Sequence, residues 1–325
     1  MGARFRLTAS ALAVAAALCT GAAAGQVLGP LDQPDDPSSP TSSSGKGTQD
    51  DHERHRAPAS ATASAPAALA VGGSVPAAAE GLLATADGYT FSSDTTVLDG
   101  ADGALFRFRI TDPAGAVVHD YALTHERPLH LVLVARDLAV YHHLHPTLEA
   151  DGSWTVALPA LTPGAYRAFA DLTVADGPAL TLGLDLFVPG GALYSPLPAP
   201  TGRAMVHGYE VSLTGAPALD EGDGETGGGE VALTITSGGA PITDLQPYLG
   251  ALGHLVAIRT SDLAFVHTHP VTAAPGDAAA PAAGPTVRFH VAVSAPGDYR
   301  IFFEFAHAGI VHTTPFTVHV PPPPP

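Results

Sequence analysis

The chain has few of the residues that would build several common kinds of site. Among its 325 residues there are one cysteine, one tryptophan and two methionines. Cys19 lies near the N-terminus, and a chain cut beyond it has no thiol and can form no disulfide. Met205 is then the only methionine left, which excludes an electron-transfer copper site built from His, Cys and Met.

Positive charge is also scarce. Acidic residues outnumber lysine and arginine by 31 to 14, and the net charge is −17. Such a polyanion has no electrostatic attraction for nucleic acid or for anionic lipid, so neither is expected as a partner.

Beyond the N-terminus we find no uninterrupted apolar run of about 18 residues or more, so no transmembrane anchor is expected. Arg4 and Arg6 precede a shorter apolar run over 7–18, and Ala22-Ala23-Ala24 follows it. This pattern is typical of a signal peptide, which we place at 1–24. We therefore expect a secreted, extracytoplasmic protein. A lipid anchor at Cys19 is not expected, because Leu18 precedes it where a small residue is required.

Glycine and proline are abundant, with 35 and 31 residues, which argues against a mainly helical chain. Residues 25–83 are rich in Ser, Pro and Ala and predict a disordered linker. A second proline-rich linker is predicted at 191–202, and a proline tail at 321–325. The segments that remain, 84–190 and 203–320, are predicted to be two domains.

The two predicted domains repeat one another. His130-Leu-Val-Leu-Val corresponds to His254-Leu-Val-Ala-Ile, and His143-Leu-His145-Pro146 corresponds to His267-Thr-His269-Pro270. Pro163-Gly-Ala-Tyr-Arg-Ala-Phe-Ala-Asp171 likewise corresponds to Pro296-Gly-Asp-Tyr-Arg-Ile-Phe-Phe-Glu304. Each repeat contains six or seven short apolar runs separated by Gly, Pro and Asp. This predicts an all-β chain of two tandem immunoglobulin-like antiparallel β-sandwiches that arose by internal duplication.

Histidines are concentrated near the repeated motifs, and the chain has 16 of them. A hairpin turning at Arg136-Asp137 would pair His130 with His143, and the matching hairpin would pair His254 with His267. His145 and His269 would follow on the same faces. Three neutral imidazoles suit Cu²⁺ or Zn²⁺, so one metal site is predicted in each repeat. The weaker candidates for a further ligand are Asp171, Glu304, His307 and His312.

An alternative remains open, because apolar residues share those histidine faces. Val132, Val134 and Tyr141 lie on the first, and Val256, Ile258 and Phe265 lie on the second. In that interpretation the histidines are structural core residues that are hydrogen-bonded internally. The protein would then be an extracellular interaction or adhesion module.

At these motifs the chain resembles a group of uncharacterised secreted actinobacterial proteins with duplicated His-x-His-Pro β-sandwich repeats. It is also distantly similar to exported heavy-metal-binding and copper-binding β-sandwich proteins, and that resemblance implies Cu²⁺ capture by histidines outside the membrane. The sequence has no Gly-x-Ser-x-Gly motif and no phosphate-binding glycine loop. We therefore expect a monomeric, non-enzymatic protein that binds a divalent metal, Cu²⁺ before Zn²⁺, with another extracytoplasmic protein as a second kind of partner.

Overall fold

The computed structural model describes residues 81–220, 227–266, 268–271 and 283–324. The predicted signal peptide and all but the last three residues of the predicted N-terminal linker lie outside the described residues. Throughout the described part of the chain the regular elements are strands, and it contains no helix able to cross a membrane. The prediction of an all-β chain of two tandem immunoglobulin-like sandwiches is confirmed.

The first sandwich is formed by ten strands in two sheets. One sheet has the order β1-β2-β3-β8-β7, and the other has the order β10-β9-β5-β6 with β4 also paired to β9. Every pairing in both sheets is antiparallel. The strands are β1 (Thr85–Ala86), β2 (Tyr89–Ser93), β3 (Leu105–Thr111), β4 (Tyr121–Ala122), β5 (Leu129–Ala135), β6 (Tyr141–Leu144), β7 (Thr147–Leu148), β8 (Trp154–Ala157), β9 (Gly164–Val174) and β10 (Ala179–Val188).

The second sandwich repeats this plan. One sheet has the order β11-β12-β14-β19-β13, with β15 on β14 and β18 on β19, and the other has the order β17-β16-β20-β21. The single parallel pairing among the described strands joins β13 to β19. The strands are β11 (Arg203–Val206), β12 (Tyr209–Gly215), β13 (Ala218–Leu219), β14 (Gly229–Ser237), β15 (Ala240–Pro241), β16 (His254–Arg259), β17 (Phe265–Val266), β18 (His269–Pro270), β19 (Thr286–Val293), β20 (Gly297–His307) and β21 (Ile310–Val320).

Each sandwich has its own apolar core. Strand β3 alternates buried and more exposed residues, as expected of a strand with one face on a core, and Phe106 and Phe108 point inward with Trp154. Phe289, Phe303 and other large side chains fill the second core in the same way. Burial at about 25 cal/mol per Å² of apolar surface is the main force that holds each sandwich together.

A third apolar cluster joins the two sandwiches. The sheet containing β5 and β9 packs on the sheet containing β16 and β20, and the equivalent residues Val132 and Val256 contribute from opposite sides. Tyr141 stacks on Phe302 with ring centroids 4.2 Å apart, and Phe169 packs on Phe265 at 5.3 Å. The apolar part of the histidine faces is therefore an interface between the repeats, with the two copies related approximately as the halves of a two-fold interface.

The hairpin register differs from the prediction by two residues. His143 pairs with Val132, not with His130, because the β5–β6 loop has four residues, 136–139, rather than two. The β16–β17 hairpin has the same four-residue loop, 260–263. Each loop contains a leucine at positive φ, Leu138 at 57° and Leu263 at 67°. Both leucine side chains are buried in the interdomain cluster, and this burial offsets the backbone strain.

Candidate metal centre

The predicted histidines of the first repeat come together with residues of the second. His130 lies on β5, His143 on β6, and His145 just beyond the end of β6. From the second sandwich His254 begins β16, and its cross-strand neighbour is Glu304 on β20. These five side chains form one cluster at the edge of the apolar interface, which we call the metal centre.

The distances within the metal centre are those of potential ligands. His130 Nδ1 lies 2.9 Å from His143 Nε2, and His143 Nδ1 lies 2.7 Å from Glu304 Oε2. His254 Nδ1 is 3.7 Å from the same carboxylate oxygen. Two groups each have ligand atoms within 4.8 Å of one another, namely His130, His143 and His145, and His143, His254 and Glu304. Ligands of a tetrahedral zinc ion are about 3.3 Å apart, so small side-chain movements would bring either group onto one ion.

A backbone contact fixes the orientation of one ring. The His130 Nε2–H donates a hydrogen bond to the carbonyl oxygen of Thr124 at 2.8 Å, because a carbonyl can only accept. The Nδ1 lone pair of His130 therefore points into the metal centre, toward His143. An imidazole held by a carbonyl through its outer nitrogen is the usual arrangement of a metal-binding histidine.

Burial favours the neutral form of two of these imidazoles, those of His130 and His145. It lowers the pKa of His130, and the neighbouring His143 lowers it further. It lowers the pKa of His145 to about 2, with added contributions from His143 and His130. The Nε2 atom of His145 is buried and has no hydrogen-bond partner among the described residues. A neutral imidazole with a buried lone pair is costly when empty and is suited to a cation.

Glu304 supplies the negative charge. It is 1% exposed, and its contacts are the His143 and His254 rings together with a 3.4 Å hydrogen bond from Thr313 Oγ1. Asp171 holds the equivalent position in the first repeat. It faces His130 across β5 and β9 and accepts a hydrogen bond from Thr181 at 2.9 Å, and it belongs to neither ligand group.

The remaining predicted ligands lie elsewhere or outside the described residues. His307 contacts the Tyr209 hydroxyl and Asp244, and His312 lies 3.0 Å from His207, so these two belong to a separate polar cluster of the second sandwich. His267 lies outside the described residues. The backbone of His269 is in β18, which pairs with β19 and not with the β16–β17 hairpin. The described residues of the second repeat alone contain no group of three ligands.

Sequence analysis missed two features of the metal centre. His125 is not among the ligands predicted from the sequence, yet its ring lies 5.9 Å from that of His130 and 5.5 Å from that of His254. The second feature is that His254 joins the first repeat's histidines, with its ring 4.7 Å from that of His143. The only sequence signal for His125 is its position five residues before His130.

Two segments of the chain, residues 84–188 and 204–322, match the same protein family. The chain belongs to the DUF8832 family. This family is described as a domain of unknown function. Two matches to one family agree with the internal duplication. No curated protein matches the chain.

Solved structures of low similarity include bacterial adhesins. The Escherichia coli adhesin FdeC is 15% identical with a TM-score of 0.24, and the match covers 73% of this chain and 65% of that one. The Yersinia pseudotuberculosis adhesin InvE is 14% identical with a TM-score of 0.22, covering 71% and 58%. The match thus spans less than two thirds of either adhesin chain. At these TM-scores the likeness carries no argument about function.

Proposed function

We propose that this DUF8832 protein is an exported, non-enzymatic metal-binding protein that holds one divalent transition-metal ion between its two sandwiches. The observation that supports this most directly is the convergence of four imidazoles and a buried carboxylate from both repeats. A set rich in neutral imidazole favours Cu²⁺ over Zn²⁺, because Cu²⁺ lies higher in the stability order of divalent metals.

The ion stoichiometry follows from the shared residue. His143 belongs to both ligand groups, with Nε2 toward His130 and Nδ1 toward Glu304. Because a neutral imidazole offers one lone pair, His143 serves one ion at a time. The proposal is therefore one ion per chain, in place of the separate site in each repeat that the sequence predicts.

Calorimetric titration with Cu²⁺ and Zn²⁺ tests this proposal. The protein used is the mature chain with His52→Ala and His55→Ala, which removes the histidines of the N-terminal segment. We expect one ion per chain with a Kd below about 1 μM, which corresponds to about 8 kcal/mol. His254→Ala should weaken that single site by at least about tenfold, because His254 belongs to the group that spans both sandwiches, whereas His145→Ala should weaken it less, because His145 belongs to the other group.

A matched substitution, His290→Ala, changes an exposed histidine of β19 and should leave the Kd unchanged. Two ions per chain, with each variant removing only one, would contradict a shared site. Only weak, unsaturable heat would contradict metal binding altogether.

An extracellular interaction module is the second candidate. Leu193 and Tyr194, in the segment between the sandwiches, are 93% and 66% exposed, and large apolar side chains at such exposure are suited to contact with another protein. This candidate is favoured if metal does not bind and the His145→Ala and His254→Ala variants lose stability, because the histidines would then be packing residues.

A further inference from the structure

A cavity of about 360 Å³ lies between the two sandwiches, and His143 and Glu304 are the residues of the metal centre that line it. Small-molecule sites have volumes of about 300–1,000 Å³, so this one is large enough for a compact ligand. Much of its wall is apolar and is formed by Leu138, Tyr141, Leu144, Leu158, Val206 and Phe302. The exposed side chain of Met205 also lines it.

Three residues that line this cavity each have a buried polar atom without a hydrogen-bond partner among the described residues. These atoms are the Tyr141 hydroxyl, His142 Nε2 and Arg300 Nε. An unsatisfied buried polar group costs about 1–3 kcal/mol, and of these three residues only Arg300 carries a charge that a bound ligand could neutralise. Burial also lowers the pKa values of His142, to about 4, and of Arg300.

The duplication shows what Arg300 lacks. Its equivalent in the first repeat is Arg167, which bonds Asp185 Oδ1 at 2.9 Å from the facing position on β10. In the second repeat the residue facing Arg300 on β21 is Thr317, which accepts a 2.9 Å hydrogen bond from Arg300 Nη1. No ion pair of Arg300 is present among the described residues, although the residue is only 8% exposed. A buried guanidinium keeps its charge and requires a counter-anion.

We propose that this cavity binds a small monocarboxylic acid with an apolar body, with Arg300 as the counterion of the carboxylate and Phe302 against the body. Arg300, Phe302 and Glu304 alternate along one face of β20 and all line the cavity. Arg300 and Glu304 are therefore about 13 Å apart along the strand.

Among the charged residues that line the cavity, Arg300 is the one that can bind an anion. Glu304 is bonded by His143 and Thr313, and Asp102 is exposed at the cavity's edge. The proposal does not depend on metal binding, because the carboxylate would lie at the end of the cavity away from the metal centre. It can be tested with the metal centre emptied by a chelator.

The test uses the full mature chain in EDTA, titrated with phenylacetate and, in parallel, with its neutral analogue phenylacetamide and with inorganic phosphate. We expect a saturable Kd for phenylacetate below about 1 mM and at least tenfold weaker binding of the amide. Thr317→Asp places in the second repeat the carboxylate that Asp185 provides in the first. It should neutralise Arg300 internally and weaken phenylacetate binding at least tenfold, whereas the uncharged Thr317→Asn should not.

If Thr317→Asp fails to fold, Met205→Trp provides an independent variant, because Met205 is 65% exposed and an indole there would fill the cavity without disturbing a core. It too should weaken phenylacetate binding at least tenfold. The proposal is overturned if phenylacetate does not bind at 10 mM, if phenylacetamide binds equally well, or if phosphate alone binds. It is also overturned if folded Thr317→Asp or Met205→Trp protein binds as the unaltered protein does.

Discussion

Two adjacent phenylalanines of β20 allow the interface between the repeats to be tested separately from the sandwich core. Phe302 is 3% exposed and packs across the interface on Tyr141, whereas Phe303 is fully buried in the core of its own sandwich. Truncation of either residue to alanine should cost about 3–5 kcal/mol of unfolding free energy. With a urea m-value of about 2–3 kcal/mol/M, the midpoint should fall by about 1–2.5 M in both variants.

What distinguishes the two variants is the coupling between the sandwiches. Trp154 is the only tryptophan of the chain and lies in the core of the first sandwich, so its fluorescence reports the first repeat alone. Circular dichroism reports both repeats. In the unaltered protein and in Phe303→Ala the two signals should give coincident transitions, because the interface is intact. In Phe302→Ala the transitions should separate, because the stack on Tyr141 is lost.

The opposite result would refute the reasoning. If Phe303→Ala separates the fluorescence and circular dichroism transitions while Phe302→Ala keeps them coincident, the apolar cluster between the sheets does not couple the repeats. A double-mutant cycle of Tyr141→Ala and Phe302→Ala gives a second measure of the same contact. For a stacked pair at 4.2 Å we expect a coupling free energy of about 0.5–1.5 kcal/mol.

Three further predictions concern single side chains. Tyr141→Phe removes a buried hydroxyl that has no hydrogen-bond partner among the residues the structure describes, and it keeps the ring stack, so the unfolding free energy in urea should rise by about 1 kcal/mol. A fall of that size would show that the hydroxyl is hydrogen-bonded. Burial lowers the pKa of His312 to about 4. Between pH 6.5 and 4 the unfolded chain therefore binds a proton that the folded chain does not, and the free energy of unfolding falls as the pH is lowered through this range. His312→Gln should flatten urea stability against pH by up to about 1.4 kcal/mol per pH unit in that window, and an unchanged slope would show that His312 is not responsible. Glu304→Asp draws the carboxylate back by about 1.5 Å and should weaken metal binding at least about tenfold in calorimetry. The control variant Asp171→Glu should leave metal binding unchanged. Equal effects of the two variants would contradict the assignment of Glu304 as the acidic residue of the metal centre.

The all-β fold could be predicted from local sequence because the information is local. Short runs of Val, Leu, Phe and Tyr between Gly, Pro and Asp indicate strands wherever they occur, and the repeated motifs indicate two copies of one unit. The hairpin register was wrong by two residues because it depends on loop length. Each loop contains a leucine at positive φ, Leu138 or Leu263, and the side chain of each is buried between the repeats. Both leucines lie in an Asp-Leu-Ala sequence, 137–139 in the first repeat and 262–264 in the second. Nothing in that local sequence shows that the leucine will be buried against the other repeat.

The candidate site was predictable only in part, for a related reason. The spacing of His143 and His145 places them near His130 within one repeat, and the structure brings these three together. The contribution of His254 and Glu304 depends on which sheets face each other, and the amphipathic pattern of a strand identifies a buried face without naming its partner. A face that looked like a sandwich core is instead the interface between the repeats, so the metal-site and core-face interpretations each describe a part of the same surface.

Divergence between the two copies explains why the described cluster spans both repeats instead of recurring in each. An interface with approximate two-fold symmetry brings equivalent residues close to the axis, and the His130 and His254 rings lie 5.9 Å apart and nearly parallel. The acids at the equivalent position differ by one methylene group. Asp171 bonds Thr181 within its own sheet, whereas the longer Glu304 reaches His143 of the other sandwich. The arginines diverge as well, since Arg167 bonds Asp185 whereas Arg300 has no carboxylate partner within the part of the chain that the structure describes. Both differences place charged groups of the second repeat at the interface, beside the metal centre and the cavity, which is where we place the function.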